Sequence, residues 1–108
     1  MSTTLYAVIA TLPSEEVGRE YIAWLEEGHV DQVIEGGAQS AMIVELEPDA
    51  TEVLAPGAMQ VMTQYVFSTR SAFDRYVERS APKLRAEGLA KFGPERGIKM
   101  RRMVGRVA

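Results

Sequence analysis

At 108 residues, 46 % of them hydrophobic and 25 % charged, the chain has the size and composition of one globular domain spanning residues 1–108, not of a disordered segment. It has no cysteine and one histidine, which excludes disulfides, thiolate nucleophiles and cysteine zinc sites and leaves too few ligands for most transition-metal centres, so neither metal nor cofactor is expected. The net charge of −3 hides a division: residues 1–69 carry one basic residue, Arg19, against eleven acidic ones, whereas residues 70–108 carry eleven basic residues against four acidic ones.

Leu5-Tyr6-Ala7-Val8-Ile9-Ala10-Thr11-Leu12 is apolar, rich in strand formers and ends at Pro13, which predicts a strand buried on both faces. Ser14 follows as a helix N-cap, with Glu15 and Glu16 at the positive end of the helix dipole. Val17, Tyr21, Trp24, Leu25 and Gly28 recur at helical spacing and form one face. Gly28 weakens this helix; Val30, Val33 and Ile34 predict that it continues or restarts until Gly36-Gly37 stops it. Residues 38–47 read as a second strand, with Met42, Val44 and Leu46 on one face and Ala41 and Ile43 on the other. A turn-rich connection, Pro48 to Gly57, leads to a third strand over residues 58–67, and the two strands form a hairpin with a long loop.

Ser68 or Thr69 caps the next helix, whose apolar positions are Phe73, Tyr76 and Val77. Pro82 is costly inside a helix and well suited to a first turn, so Ala81-Pro82 marks a break and restart. The second piece carries Leu84, Leu89 and Phe92 and stops at Gly93-Pro94; residues 98–107 form the last strand. The order β-α-β-β-α-β is the split, ferredoxin-like α+β pattern, with an antiparallel four-stranded sheet.

Such a sheet has its helices on one face, and the other face of a lone domain should read polar. Here neither face does. In the third strand Val61, Thr63, Tyr65 and Phe67 oppose Gln60, Met62, Gln64 and Val66; in the first, Leu5, Ala7, Ile9 and Thr11 oppose Tyr6, Val8, Ala10 and Leu12. A second copy packed sheet to sheet with two-fold symmetry is the simplest cover, so a homodimer is expected.

These residues also carry a family likeness. Trp24, Glu26-Glu27-Gly28-His29-Val30, Val33 and Gly36, then Gln64-Tyr65, Tyr76, Ala81-Pro82-Lys83-Leu84-Arg85-Ala86-Glu87-Gly88-Leu89, Lys91-Phe92-Gly93 and Arg101-Arg102 together resemble an uncharacterised bacterial family, a domain of unknown function within the dimeric α+β barrel superfamily. The resemblance covers nearly the whole chain and departs from the family pattern at Gly28 and Asp31. It implies a ferredoxin-like fold and a dimer, and no reaction. The wider superfamily includes cofactor-independent monooxygenases, EthD-like proteins and haem-degrading enzymes, so a site must be argued from residues.

His29 is the first candidate. A neutral imidazole beside a cavity suits a general base acting on an acidic phenol or enol; the alternative is a helix-end histidine bonded to a carbonyl. Gln64 projects from a central strand and faces the barrel interior if Val61, Tyr65 and Phe67 meet the helices; it then orients a ligand or bonds a neighbouring strand. Arg101 and Arg102 alternate faces, and an inward guanidinium suits a carboxylate; the alternative is an ion pair with Glu45 or Glu47. Tyr6, Trp24 and Tyr76 sit at core periodicity and are also the aromatic groups available to a ligand.

No glycine-rich phosphate loop or nucleophilic triad is present. The basic second half admits nucleic-acid binding, but packing of the two halves against each other accounts for it, and the total is acidic. No apolar run approaches the roughly 20 residues of a membrane span, and no basic-then-apolar N-terminal region precedes the first strand, so a cytoplasmic location is expected. Three functions remain. One is a homodimer binding a small, partly apolar or anionic metabolite through Gln64 and Arg101 or Arg102. Another is a cofactor-independent monooxygenase or isomerase with His29 as base. The third is a structural or interaction protein whose sheet interface is filled by Met42, Met62 and Val8.

Overall fold

The chain runs β1 (Thr4–Leu12), α1 (Glu15–Trp24), a widened helical turn (Leu25–His29), α2 (Val30–Glu35), β2 (Ser40–Leu46), β3 (Met59–Phe67), α3 (Arg70–Arg79), α4 (Ala81–Lys91), a 3-10 turn (Pro94–Arg96) and β4 (Lys99–Arg106). These elements come from a computed structural model that describes residues 3–48 and 53–108. Of the connection predicted over Pro48 to Gly57, residues 49–52 lie outside the described residues. The strands pair antiparallel in the order β2-β3-β1-β4, a ferredoxin-like α+β sheet.

Local chemistry sets the ends of the elements. The Val17 N–H donates to Ser14 Oγ at 3.2 Å and the Ala72 N–H to Thr69 Oγ1 at 3.1 Å, so both expected caps satisfy an orphan helix donor. Gly28 (φ 158°, ψ −28°) lies outside the helical region and divides the first helical segment. Ser80 separates α3 from α4, and Pro82 occupies the first turn of α4, as expected. Gly36 closes α2 against α3: a Cβ there would lie 2.9 Å from Ser80 Oγ and 3.0 Å from Tyr76 Cδ1, so a larger residue would push these side chains aside.

Register decides what each face of the sheet receives. Across the strands, Ala41–Tyr65–Tyr6–Val104, Ile43–Thr63–Val8–Arg102 and Glu45–Val61–Ala10–Met100 form rows on the helix side. Ser40–Val66–Leu5–Gly105, Met42–Gln64–Ala7–Met103 and Val44–Met62–Ile9–Arg101 form rows on the opposite side. The helix side holds two apolar clusters. One gathers Tyr6, Tyr65 and Phe67 with Phe73, Tyr76 and Leu84. The other gathers Ala10, Leu12 and Val61 with Tyr21, Leu25 and Phe92.

Several expectations are corrected. Val8 stands on the helix side, beside Thr63 and Arg102, and so belongs to no outer sheet interface. Val77 and Leu89, placed on apolar helix faces by spacing, are exposed, because the helices turn Phe73, Tyr76, Leu84 and Gly88 inward instead. The ion pair of Arg101 or Arg102 with Glu45 or Glu47 does not form, because β2 and β4 are opposite edges of the sheet. Glu45 pairs with Arg19 of α1. The acidic and basic halves do meet, at Arg96–Glu20, 2.8 Å, a solvent-exposed pair that water screens. Among the described residues, no helix is long and apolar enough to cross a membrane.

Phe67 has no exposed surface and lies against Phe73 and Tyr76. Phe67→Ala is expected to lower unfolding free energy by about 3–5 kcal/mol in urea denaturation, through lost burial plus the cavity left behind.

Candidate functional site

A narrow cavity lies between the sheet and the helices. Its floor comes from the inner rows of β1, β3 and β4: Tyr6, Val8, Thr63, Tyr65, Met100 and Arg102. Its roof comes from α1 and the widened turn (Tyr21, Trp24, Leu25, His29), from Tyr76 of α3, and from Leu84, Arg85, Gly88 and Leu89 of α4. Space for the centre of a water-sized sphere amounts to about 40 Å³. That is room for a few waters, so an organic ligand enters only with movement of a wall.

The helix break places the histidine. With the chain turned at Gly28, the His29 imidazole stacks on the Trp24 indole, centroids 4.2 Å apart and planes 22° apart. Both rings line the inner cavity and also an outer groove with Glu27, Asp31 and Lys91, so the stacked pair is the wall between them. The buried Nδ1 of His29 has no hydrogen-bond partner among the described residues. Burial pushes the imidazole down from its ordinary 6.5 to about 4, against a smaller upward pull from Glu87. At neutral pH His29 is therefore uncharged.

Polar groups converge on the floor. Arg102 Nε donates to the Tyr6 hydroxyl at 3.2 Å. Arg85, from the facing helix, buries its Nε without an acceptor among the described residues. Burial pushes the phenols of Tyr21 and Tyr76 up to about 12 and that of Tyr65 upward as well, so these groups stay protonated and able to donate. The charges of Arg85 and Arg102 both oppose the shift at Tyr76, which puts its hydroxyl in the field of both. The Thr63 hydroxyl is buried and completes no hydrogen bond of normal geometry. No carboxylate lines the cavity.

The arrangement joins some of the predicted residues and separates others. His29, Trp24, Tyr6, Tyr76 and Arg102 line one cavity. Gln64 and Arg101 face the other side of the sheet, where Gln64 sits among Met42, Ala7 and Met103 with its Nε2 3.8 Å from Met62 Sδ. Sequence reasoning missed Tyr21, Thr63, Tyr65 and Arg85 as cavity residues. Tyr65 and Thr63 were legible from their parity with Tyr6 and Val8. Arg85 was not, since nothing in its spacing on an exposed-looking helix announces an inward guanidinium.

Residues 3–105 match the family described as "Domain of unknown function (DUF4286)". The chain belongs to DUF4286. No curated protein matches it. Among solved structures, this DUF4286 chain is similar to a dimeric ferredoxin-like protein from an uncultured marine organism, with TM-score 0.77 and 10 % identity over 100 % of this chain and 97 % of that one. It is similar to an ethyl tert-butyl ether d (EthD) family protein from Bacillus halodurans, with TM-score 0.68 and 11 % identity over 100 % of both chains. It is also similar to a protein from Shewanella loihica proposed to be a monooxygenase, with TM-score 0.59 and 14 % identity over 100 % of this chain and 97 % of that one. At these identities the likeness is one of fold.

The buried histidine makes stability depend on pH. Because the folded value lies below the unfolded one, the unfolded chain binds the extra proton, and the contribution of His29 is complete above about pH 6.5 and is lost as pH falls towards 4. His29→Phe is therefore expected to show a shallower loss of melting temperature between pH 7 and 4.5 than the natural chain, measured by calorimetry. Parallel pH profiles would remove the buried neutral imidazole from the account.

Proposed function

We propose that this DUF4286 protein is a homodimer, joined sheet to sheet, whose protomers each bind a small, partly apolar, anionic metabolite between sheet and helices. The observation that carries the ligand reading is the composition of the cavity: aromatic walls, protonated phenols and two guanidiniums, with no carboxylate to neutralise them. An apolar body gains from leaving water, and the fixed donors select for negative charge. Because the empty space is small, binding is coupled to displacement of the Trp24–His29 wall, beside the break at Gly28.

The dimer reading rests on the outer sheet face. Leu5, Val66, Met42, Val44, Met62 and Met103 stand there with no helix over them, and Met42 is 59 % exposed. That face is too apolar and too contiguous to suit open water. The dimeric ferredoxin-like relative of similar fold supports the same assembly. Gln64 and Arg101 would then lie inside the interface, apart from the ligand.

A second reading is a cofactor-independent monooxygenase or isomerase with His29 as base. It is favoured by the unpartnered Nδ1 in the cavity wall and by fold likeness to an EthD family protein and to a proposed monooxygenase. A value near 4 makes the imidazole a weak base at neutral pH, which favours binding over proton abstraction.

Two measurements test the proposal. Light scattering of the natural chain at micromolar concentration is expected to give twice 11.9 kDa, and Met62→Asp to give 11.9 kDa; a monomeric natural chain would end the dimer reading. Trp24, the only tryptophan, lines the cavity, so its emission reports occupancy. A small aromatic probe such as benzamide is expected to change that emission saturably. Emission indifferent to such probes, benzoate included, would count against a ligand site.

A further inference from the structure

Arg85 and Arg102 differ from the arginines whose charges are matched. Arg19 pairs with Glu45 and Glu15, Arg70 with Asp74, and Arg96 with Glu20, all at the surface. Arg85 and Arg102 make no ion pair among the described residues, yet both reach the cavity. The reason is positional. On a helix, side chains three and four residues apart are neighbours, and those of Arg85 are Ala81, Pro82, Gly88 and Leu89, none an acceptor. The nearby Glu87 turns to Lys83 instead, at 3.9 Å. Across the sheet, Arg102 stands in a row with Val8 and Thr63, with Met100 and Val104 on the same face of its own strand.

Burying a guanidinium Nε with no acceptor costs stability, and a ligand oxygen recovers that cost. Arg102 is already engaged: its Nε donates to Tyr6, which orients the head at the cavity's edge. Arg85 has no such commitment. Its buried Nε has no acceptor among the described residues, and its side chain lines the cavity together with Tyr76, whose phenol lies within the field of both arginines.

We infer that Arg85 is the anion anchor of this cavity, that Arg102 and the Tyr76 hydroxyl assist it, and that the ligand is a small monocarboxylate with a flat, unsaturated body. The inference rests on the ligand-binding reading above. A planar carboxylate matches a guanidinium fork with two parallel hydrogen bonds. The flat body follows from the walls, where Trp24, Tyr21, Tyr65 and Tyr76 present aromatic rings. A phosphate dianion fits poorly, because most of the lining is aromatic or aliphatic and could not replace its hydration.

The test compares benzoate with benzamide, its neutral counterpart, by Trp24 emission at fixed ionic strength. In the natural chain benzoate is expected to bind at least about ten-fold more tightly, the usual advantage of a charge-assisted hydrogen bond over a neutral one. Arg85→Met is expected to weaken benzoate at least about ten-fold more than benzamide, which erases that preference, and Arg85→Lys to restore part of it. Circular dichroism establishes that each variant is folded; should Arg85→Met unfold, Arg85→Gln takes its place. Equal affinity for the two probes in the natural chain would overturn the carboxylate assignment while leaving the ligand site standing. A preference that survives at residue 85 and vanishes in Arg102→Met would overturn Arg85 as anchor. Failure of both probes to bind would overturn the ligand reading itself and this inference with it.

Discussion

All the helices lie on one face of the sheet, and the antiparallel register determines which side chains that face receives. Tyr6, Tyr65, Thr63, Val8 and Arg102 come together because β3 and β4 flank β1 in fixed pairing. A slip of one residue would send each of them to the opposite side. The same pairing leaves Met42, Met62 and Met103 uncovered. Cavity and outer apolar face are thus two results of one constraint.

The inner face is unusual in mixing large aromatic rings with polar ends. Rings bury well, yet each tyrosine must find a place for its hydroxyl. Tyr6 accepts from Arg102, and Tyr21, Tyr65 and Tyr76 line the same cavity. Four tyrosines and a tryptophan packed between sheet and helices line a small, mostly apolar gap with a few polar groups in its wall. Burial keeps those phenols protonated and His29 neutral, so the only full charges at the gap belong to arginine. Donors and positive charge at the gap are what the proposed anionic ligand would need.

Much of the fold was legible from short-range signals. Ser14 and Thr69 cap helices because their hydroxyls reach N–H groups three residues on, a geometry contained within one turn. Pro82 marks the start of α4 for a similarly local reason. Parity along β1 and β3 sorted their residues correctly into two faces, because strand period is two whatever lies on either side. The helical spacing of Val77 and Leu89 misled, since a periodic apolar position shows which residues share a face but not how far that face is covered. Tyr6, Trp24, Tyr76, His29 and Arg102 share the cavity, whereas Gln64 and Arg101, equally plausible as polar residues on a sheet, stand on the far side.

By itself, then, the sequence determined the order of the elements, their caps, the two faces of each strand and the excess of apolar surface that calls for a second layer. These depend on periodicity and on contacts within a few residues. Only the tertiary structure decided that Arg102 faces the helices and Arg101 does not, that β2 and β4 are too far apart for an ion pair, that Gly28 turns His29 onto Trp24, and that Arg85 reaches the gap unpartnered. Those outcomes depend on which strand edges meet and how a broken helix lies across the sheet. They arise between residues distant in sequence, where no local pattern carries the information.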